Sequence, residues 1–207
     1  WYNLTMNIPE QALSQYPTWL EIDLDAVSAN TRFALRTAGT ELMAVVKSNG
    51  YGFGAVPIAR TALSAGASAL AVARCSEALT LRQAGMSAPI LVFGMAAPAE
   101  VDIAINEQIS LTLHSFESLS LYTSRASAAG QKLRVHLKVD TGFGRLGVLP
   151  EEARELALNA QQSGWIEIEG IYSHLAMADE VPDHPLTIKR IRILNDAVNA
   201  LASSGIN

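Results

Sequence analysis

Short apolar segments alternate with longer amphipathic segments along most of the chain. Six apolar runs have the length and continuity of strands buried on both faces. These runs are Leu42–Lys47, Ala69–Ala73, Pro89–Gly94, Ser110–His114, Arg134–Asp140 and Ile166–His174. Segments with helical spacing lie around them: Asp25–Ala38, Pro57–Gly66, Ser76–Gly85, Phe116–Gly130, Pro150–Ser163 and Thr187–Ser204. The alternation predicts an α/β domain with a parallel sheet covered by helices.

Boundary residues support several of these elements. Ser76 is expected to cap a helix that Gly85 ends, and Pro150 is expected to open a helix that stops at Gly164. An earlier run, Trp19–Asp23, alternates apolar and polar residues. We therefore expect it to form an exposed or interdomain strand outside the buried sheet.

Two architectures satisfy this pattern, a (β/α)8 barrel of the TIM type and an open, doubly wound sheet. A closed barrel has eight strands, and only about six parallel strands can be placed in this chain. Six strands of a barrel would leave two unpaired edges and an open core. Either the sheet is open, or the barrel is incomplete and residues after Asn207 are missing.

The composition excludes several classes of protein. The 207 residues are 49% hydrophobic and 17% charged with a net charge of −5, which is typical of a globular domain with one sizeable core. No basic stripe is available for nucleic acid, and no apolar run is long enough to span a membrane. Cys75 is the only cysteine and the chain start does not look like a secretory signal, so we expect a reducing, cytoplasmic location.

The first candidate site residue is Lys47, which ends the first apolar run and precedes a loop with three glycines and Tyr51. Parallel α/β folds place catalysis at the carboxyl ends of their strands. An amine partly withdrawn from water there loses its proton more readily and can form a Schiff base. A lysine that merely extends into solvent is the alternative, and the spacing leaves both open.

The second candidate is the segment Lys138–Gly147, which contains Arg145 and also follows a strand. Its last six residues fit the pattern G-x-G-x-x-G, with Glu167 or Glu169 as the acid that would bind a ribose. However, the next helix is predicted to start at Pro150, after the last glycine, so its N-terminus would miss the pyrophosphate. A dinucleotide-dependent oxidoreductase is therefore the weaker interpretation.

The third candidate is His174, at the end of the last predicted strand. It is delivered to the same face as Lys47 and Arg145, and convergence of polar residues is what a site requires.

The other histidines are weaker candidates. His114 also follows a strand but lacks a motif, His136 is expected to pack within its strand, and His184 is expected to face solvent. The scattered histidines and the single cysteine predict no metal site.

These motifs resemble, in the same order, those of the alanine racemase family. Val45–Gly52 resembles the motif that attaches pyridoxal 5'-phosphate (PLP), and Lys138–Gly147 and Tyr172–Ala176 resemble two further motifs. Trp19–Leu24 resembles the opening strand of the family. The likeness therefore implies an N-terminal extension at residues 1–18. Residues 19–207 would form a PLP-binding barrel domain with about six of its eight strands and without the family's C-terminal β domain.

The resemblance implies a role for each matching residue. Lys47 would hold PLP and act as the base on the D-amino acid face, and Tyr51 would reach the cofactor phosphate. Arg145 would lie beside the phenolic oxygen of PLP and help bind the substrate carboxylate, and His174 would belong to the polar network under the pyridine ring. Lys138 aligns with a lysine that is carbamylated in some members and orients the arginine.

The implied reaction is the racemisation of a small amino acid by a homodimer, with L-alanine to D-alanine for cell-wall peptidoglycan as the first expectation. Phe53 stands where members often have histidine, and serine and broad-specificity racemases share the motifs, so the substrate stays open. The second base, a tyrosine of the partner subunit, would lie beyond Asn207, and so would an arginine facing the pyridine nitrogen. The isolated chain is therefore expected to be inactive. A non-catalytic PLP-binding protein with a single barrel is the alternative.

Overall fold

The computed structural model describes residues 20–178 and 183–206, and its centre is a sheet of six parallel strands. All six strands overlap the predicted apolar runs. They are β1 (Met43–Val45), β2 (Ala69–Val72), β3 (Ile90–Val92), β4 (Ser110–Leu113), β5 (Leu133–Lys138) and β6 (Ile166–Tyr172). The expected extension at residues 1–18 lies outside the described residues.

Helical segments precede, connect and follow these strands. They are α1 (Leu24–Ala38), α2 (Lys47–Tyr51), α3 (Ala55–Ser64), α4 (Cys75–Gln83), α5 (Pro98–Asn106), α6 (Phe116–Ala129), α7 (Pro150–Gln162) and α8 (Pro185–Ala202). The six predicted helices are confirmed, whereas α2 and α5 were not predicted. Among residues 20–178 and 183–206, no helix combines the length and the apolar character needed to cross a membrane.

Two local predictions are wrong. Residues 20–23 form no strand, because Asp23 instead caps α1 and its side chain accepts a hydrogen bond from the Ala26 N–H at 2.9 Å. Trp19 lies outside the described residues. Ser76 does not cap α4, which begins one residue earlier, at Cys75. Instead, Glu77 lies in the first turn of α4, and its carboxylate accepts the N–H groups of Ala73 and Arg74, which precede the helix.

The order of the strands in the sheet distinguishes between the barrel and the doubly wound sheet. In a doubly wound sheet the order reverses at a switch point, and helices cover both faces. Here β1 to β6 follow one another in space as they do in the chain. Because parallel crossovers are right-handed, such an order places the connecting helices on one face. The open, doubly wound alternative is therefore wrong, and the arrangement is that of consecutive strand–helix units of a barrel.

The core fills the space between the sheet and the helices. Along β5, Leu133, Val135 and Leu137 are buried, while the alternate residues Arg134 and His136 are half-buried. This period of two assigns the apolar residues to one face of the strand and the polar residues to the other. Along β5 the helix-covered face is therefore apolar, and the other face offers polar side chains.

Arg82 of α4 fastens the segments that lead into β3 and β4. Its guanidinium donates hydrogen bonds to the carbonyl oxygens of Met86 (2.9 Å), Ala88 (2.8 Å), Glu107 (3.0 Å) and Gln108 (3.1 Å). These carbonyls lie at the amino ends of the two strands. The opposite, carboxyl ends carry the predicted site residues.

Candidate functional site

The predicted site residues lie at the carboxyl edge of the sheet. Lys47 follows β1, Lys138 ends β5, Arg145 lies in the loop after β5, and His174 follows β6. Tyr51 closes the turn after β1, and the centre of its ring is 6.0 Å from the Nζ atom of Lys47. Because parallel strands share one direction, these residues are all delivered to one side of the sheet.

Four cationic side chains act on the imidazole of His174. Its pKa is lowered, first by partial removal from water and then by the positive charges of Arg145, Lys138, Lys47 and Arg190. Charges must lie close to a group to have this effect. The carboxyl edge is therefore a positive region, which suits a ligand with negative charge.

The segment α2 is a left-handed turn rather than an ordinary helix. Ser48, Asn49, Gly50 and Tyr51 have φ angles of 55°, 55°, 63° and 56°. This conformation costs an ordinary L-residue roughly 1–2 kcal/mol, and only the glycine adopts it freely. The side chain of Asn49 accepts a hydrogen bond from the Ala55 N–H at 3.0 Å, which joins the turn to α3.

The carboxylate of Glu77 joins the same turn to the end of β2. One oxygen accepts a hydrogen bond from the Ser48 N–H, and the other accepts bonds from the N–H groups of Ala73 (2.8 Å) and Arg74 (3.0 Å). Sequence reasoning missed this residue because the helix cap was assigned to Ser76. Glutamate is favoured at the third position of a helix, where it binds N–H groups before the helix, and this preference could have identified Glu77.

Asp140 organises the loop between β5 and α7. Its carboxylate accepts hydrogen bonds of 2.8 Å from the backbone N–H groups of Gly142, Phe143 and Gly144. Burial raises the pKa of Asp140, but these three bonds together with the charge of Lys138 outweigh it, and the net pKa is lowered. The loop amides are therefore already bound to an anion of the chain itself.

This loop does not fit the dinucleotide site that its glycines suggested. The amides that would bind a pyrophosphate are occupied by Asp140, and α7 begins only at Pro150. Glu169, one of the two acids offered for the ribose, hydrogen-bonds Ser110 at the start of β4, toward the opposite end of the strands. The site residues thus favour a different ligand.

An aromatic ring holds Arg145 and His174 together. The centre of the Phe143 ring is 4.6 Å from the guanidinium carbon of Arg145 and 4.6 Å from the centre of the His174 ring. The hydroxyls of Thr141 and Ser173, 2.8 Å apart, join the two loops that carry these residues. Such contacts depend on the fold, and no sequence pattern indicated them.

Lys138 is buried beneath this edge. Its Nζ atom is 4.7 Å from the centre of the Tyr172 ring, and the Tyr172 hydroxyl is 2.7 Å from the Thr112 hydroxyl. Burial and then the charge of Arg145 lower the pKa of Lys138, although Asp140 opposes them. The amine is therefore shifted toward its neutral, nucleophilic form.

The other histidines pack beside strands or bind a backbone N–H group. His114 is half-buried beside β4, and burial lowers its pKa. His136 packs within β5, 3.7 Å from a carboxylate oxygen of Glu169. His184 caps α8 by accepting the Leu186 N–H at 3.2 Å, so it is not simply a solvent-facing loop residue. In the described part of the chain, no three His, Cys, Asp or Glu side chains are grouped for a metal ion.

Comparison with known proteins gives consistent matches. Residues 22–207 match the family described as "Alanine racemase, N-terminal domain". The chain is 43% identical over 191 residues to an alanine racemase of Symbiobacterium thermophilum, covering 92% of the chain and 50% of that protein. The solved alanine racemase of D-cycloserine-producing Streptomyces lavendulae matches with a TM-score of 0.85 at 40% identity, covering 90% of this chain and 50% of that one.

A second solved structure is the Bacillus anthracis alanine racemase with bound L-Ala-P. It matches with a TM-score of 0.84 at 34% identity, covering 92% of this chain and 50% of that one. The chain therefore spans about half the length of the relatives that it matches.

Proposed function

The chain belongs to the alanine racemase N-terminal domain family, and on that premise we propose that it is the cofactor-binding part of a PLP-dependent amino acid racemase. The observation that carries the proposal is the position of Lys47, Arg145 and His174 at one positive edge of the sheet. We propose interconversion of L- and D-alanine for peptidoglycan as the reaction. The chain spans about half the length of its relatives. We therefore propose this activity, and the homodimer that would perform it, for the whole protein.

The chemistry of the side chains fits this cofactor. PLP needs an amine for covalent attachment and positive or hydroxyl groups for its phosphate and its phenolic oxygen. Lys47 offers a half-buried amine, and the exposed Tyr51 offers a hydroxyl on the same turn. Arg145 offers a guanidinium for the phenolic oxygen.

When bound, PLP would withdraw the electron pair left on the substrate α-carbon after its proton departs. The protein then has to bind the substrate and move that proton. Lys47 would take or return the proton on one face as a general base. Arg145, steadied by the ring of Phe143, would bind the substrate carboxylate. His174, whose pKa is lowered, would be a neutral hydrogen-bonding group at neutral pH.

Lys138 would set the direction of the Arg145 side chain. A neutral amine reacts with carbon dioxide to give a carbamate and a proton, and the lowered pKa of Lys138 favours the neutral form. The carbamate is an anion, which would attract the guanidinium where the free ammonium repels it. We propose this modification on the family resemblance and on the burial of the side chain.

Racemisation needs a second base on the opposite face of the substrate. Tyr172 does not meet this need, because burial raises its pKa to about 12 and its hydroxyl lies 2.7 Å from that of Thr112. In agreement with the family resemblance, we propose that the second base is a tyrosine of the partner subunit.

The test is to incubate the chain with PLP, reduce it with borohydride and map the modified residue by mass spectrometry. The sequence has four lysines, Lys47, Lys132, Lys138 and Lys189, so peptide mapping assigns the site. We expect a pyridoxyl group on Lys47 and none in Lys47→Arg. Equal labelling of the exposed Lys132 and Lys189 would contradict the proposal. Stable attachment without alanine racemisation by the whole protein would support the non-catalytic alternative.

A further inference from the structure

Glu77 connects the backbone beside Lys47 to the end of the neighbouring strand. Its carboxylate accepts the N–H of Ser48, the first residue of the left-handed run, and the N–H groups of Ala73 and Arg74 after β2. The bond to Ser48 joins residues that are 29 positions apart in the chain. A single side chain therefore fixes the distance between two of the loops at the carboxyl edge.

The turn after Lys47 needs such an anchor. Five consecutive residues, Ser48 to Gly52, have positive φ, and three of them are not glycines. A backbone held in a sparsely populated region persists only when surrounding contacts fix it. Because Lys47 immediately precedes this run, any relaxation of Ser48 toward an ordinary conformation would redirect the lysine side chain.

We propose that Glu77 is a positioning residue that orients the amine of Lys47 by holding the left-handed turn against β2. The proposal rests on the proposed function, since it concerns the amine that would attach PLP. The carboxylate accepts three backbone N–H groups, so its part is to hold the backbone rather than to exchange protons with a ligand.

Glu100 provides a matched control. It occupies the same third position of the next strand-following helix, α5, and its carboxylate accepts the N–H of Ala97 at 2.8 Å. Glu77→Gln and Glu100→Gln therefore remove the same charge from equivalent helix starts. Of the two glutamates, Glu77 is the one that bonds the turn after β1.

The experiment compares both variants with the unmodified 207-residue chain. It measures the rate of PLP attachment to Lys47 by borohydride trapping, and the hydrogen–deuterium exchange of residues 47–52. In Glu77→Gln we expect attachment slowed by at least about tenfold, because a misplaced reactive group loses its attack geometry. Exchange in the turn should rise in the same variant. Glu100→Gln should leave both quantities unchanged, and equal effects of the two substitutions would overturn the proposal.

A rescue experiment separates positioning from a general loss of stability. Glycine adopts positive φ without penalty, so Ser48→Gly should restore part of the attachment rate when added to Glu77→Gln. If the added glycine restores nothing, while urea unfolding shows both glutamate variants folded, the strain argument is wrong.

Failure of the proposed function would be visible separately. In that case the unmodified chain takes up no PLP at Lys47, and exchange in the turn becomes the test of Glu77. Faster exchange in Glu77→Gln than in Glu100→Gln would then support the anchor, and equal exchange would overturn it.

Discussion

The guanidinium of Arg190 donates a hydrogen bond to the carbonyl oxygen of Gly142 at 3.1 Å, and so joins α8 to the loop that carries Arg145. A second donor of the same guanidinium binds the carbonyl oxygen of Ala176 at 2.9 Å, in the loop that carries His174. One side chain therefore fastens both loops that follow β5 and β6.

Replacing Arg190 should loosen both loops. In Arg190→Met the two carbonyls lose a charged donor, and we expect the free energy of unfolding to fall by about 1–3 kcal/mol. Hydrogen–deuterium exchange should rise in residues 140–147 and 173–177. Arg192→Met is the control, because Arg192 lies exposed on the same helix and its loss should change stability by less than about 0.5 kcal/mol. If the two variants lost equal amounts of stability, Arg190 would not be stabilising the two loops.

The pKa of His174 should respond to its cationic neighbours. Burial lowers it most, and Arg145 is the largest of the charge effects, whereas Arg190 is the smallest. Removing a positive neighbour makes the imidazolium easier to form, so Arg145→Met should raise the pKa of His174 toward its ordinary value of 6.5. Titration of the imidazole protons by NMR measures this change. A larger rise in Arg190→Met than in Arg145→Met would contradict the arrangement of charges.

The strands could be predicted because burial leaves a continuous signal in the sequence. Leu70 of β2 and Leu91 of β3, at most 2% exposed, belong to apolar runs of strand length. Lys47 and His174 stood out for a related reason, since each is a polar residue that follows an apolar run. In a parallel sheet this position alone delivers a residue to the functional edge.

The contacts that shape the site could not be predicted in the same way. Ser48 is left-handed although serine favours ordinary backbone conformations, and its N–H binds Glu77, 29 positions along the chain. Arg190 reaches Gly142 across 48 positions of the chain. Hydrophobic periodicity carries no information about such separations.

Two glycines of one loop should differ in their tolerance of a methyl group. Both Gly144 and Gly147 have positive φ, of 76° and 133°. A Cβ at Gly147 would lie 2.7 Å from the backbone nitrogen of Asp140, whereas a Cβ at Gly144 meets no atom within 4 Å. We expect Gly144→Ala to lower the free energy of unfolding by about 1 kcal/mol and Gly147→Ala by more than about 3 kcal/mol. Urea unfolding of the two variants measures the difference, and equal losses would show that the loop can move away from the new atom.

Acidification should destabilise the fold before its carboxylates are protonated. The folded-state pKa values of His114, His136 and His174 lie below their ordinary value of 6.5, with burial as the first cause in each case. Between the folded values and about 6.5, the unfolded chain binds more protons than the folded chain, so the free energy of unfolding falls as the pH falls. The urea midpoint should therefore be lower at about pH 5.5 than at about pH 7.5.

Carboxyl groups with lowered pKa values act in the same direction as the histidines, but in a lower pH window. Asp102, Glu117 and Asp140 have lowered pKa values, so their stabilising contributions are complete above their ordinary values of 3.8, 4.5 and 3.8 and are lost only as the pH falls further. A loss of stability above about pH 5 therefore belongs to the histidines. His136→Gln keeps a polar side chain that does not titrate, and it should flatten the pH dependence in this range. An unchanged slope in that variant would show that His136 is protonated as readily in the folded chain as in the unfolded one.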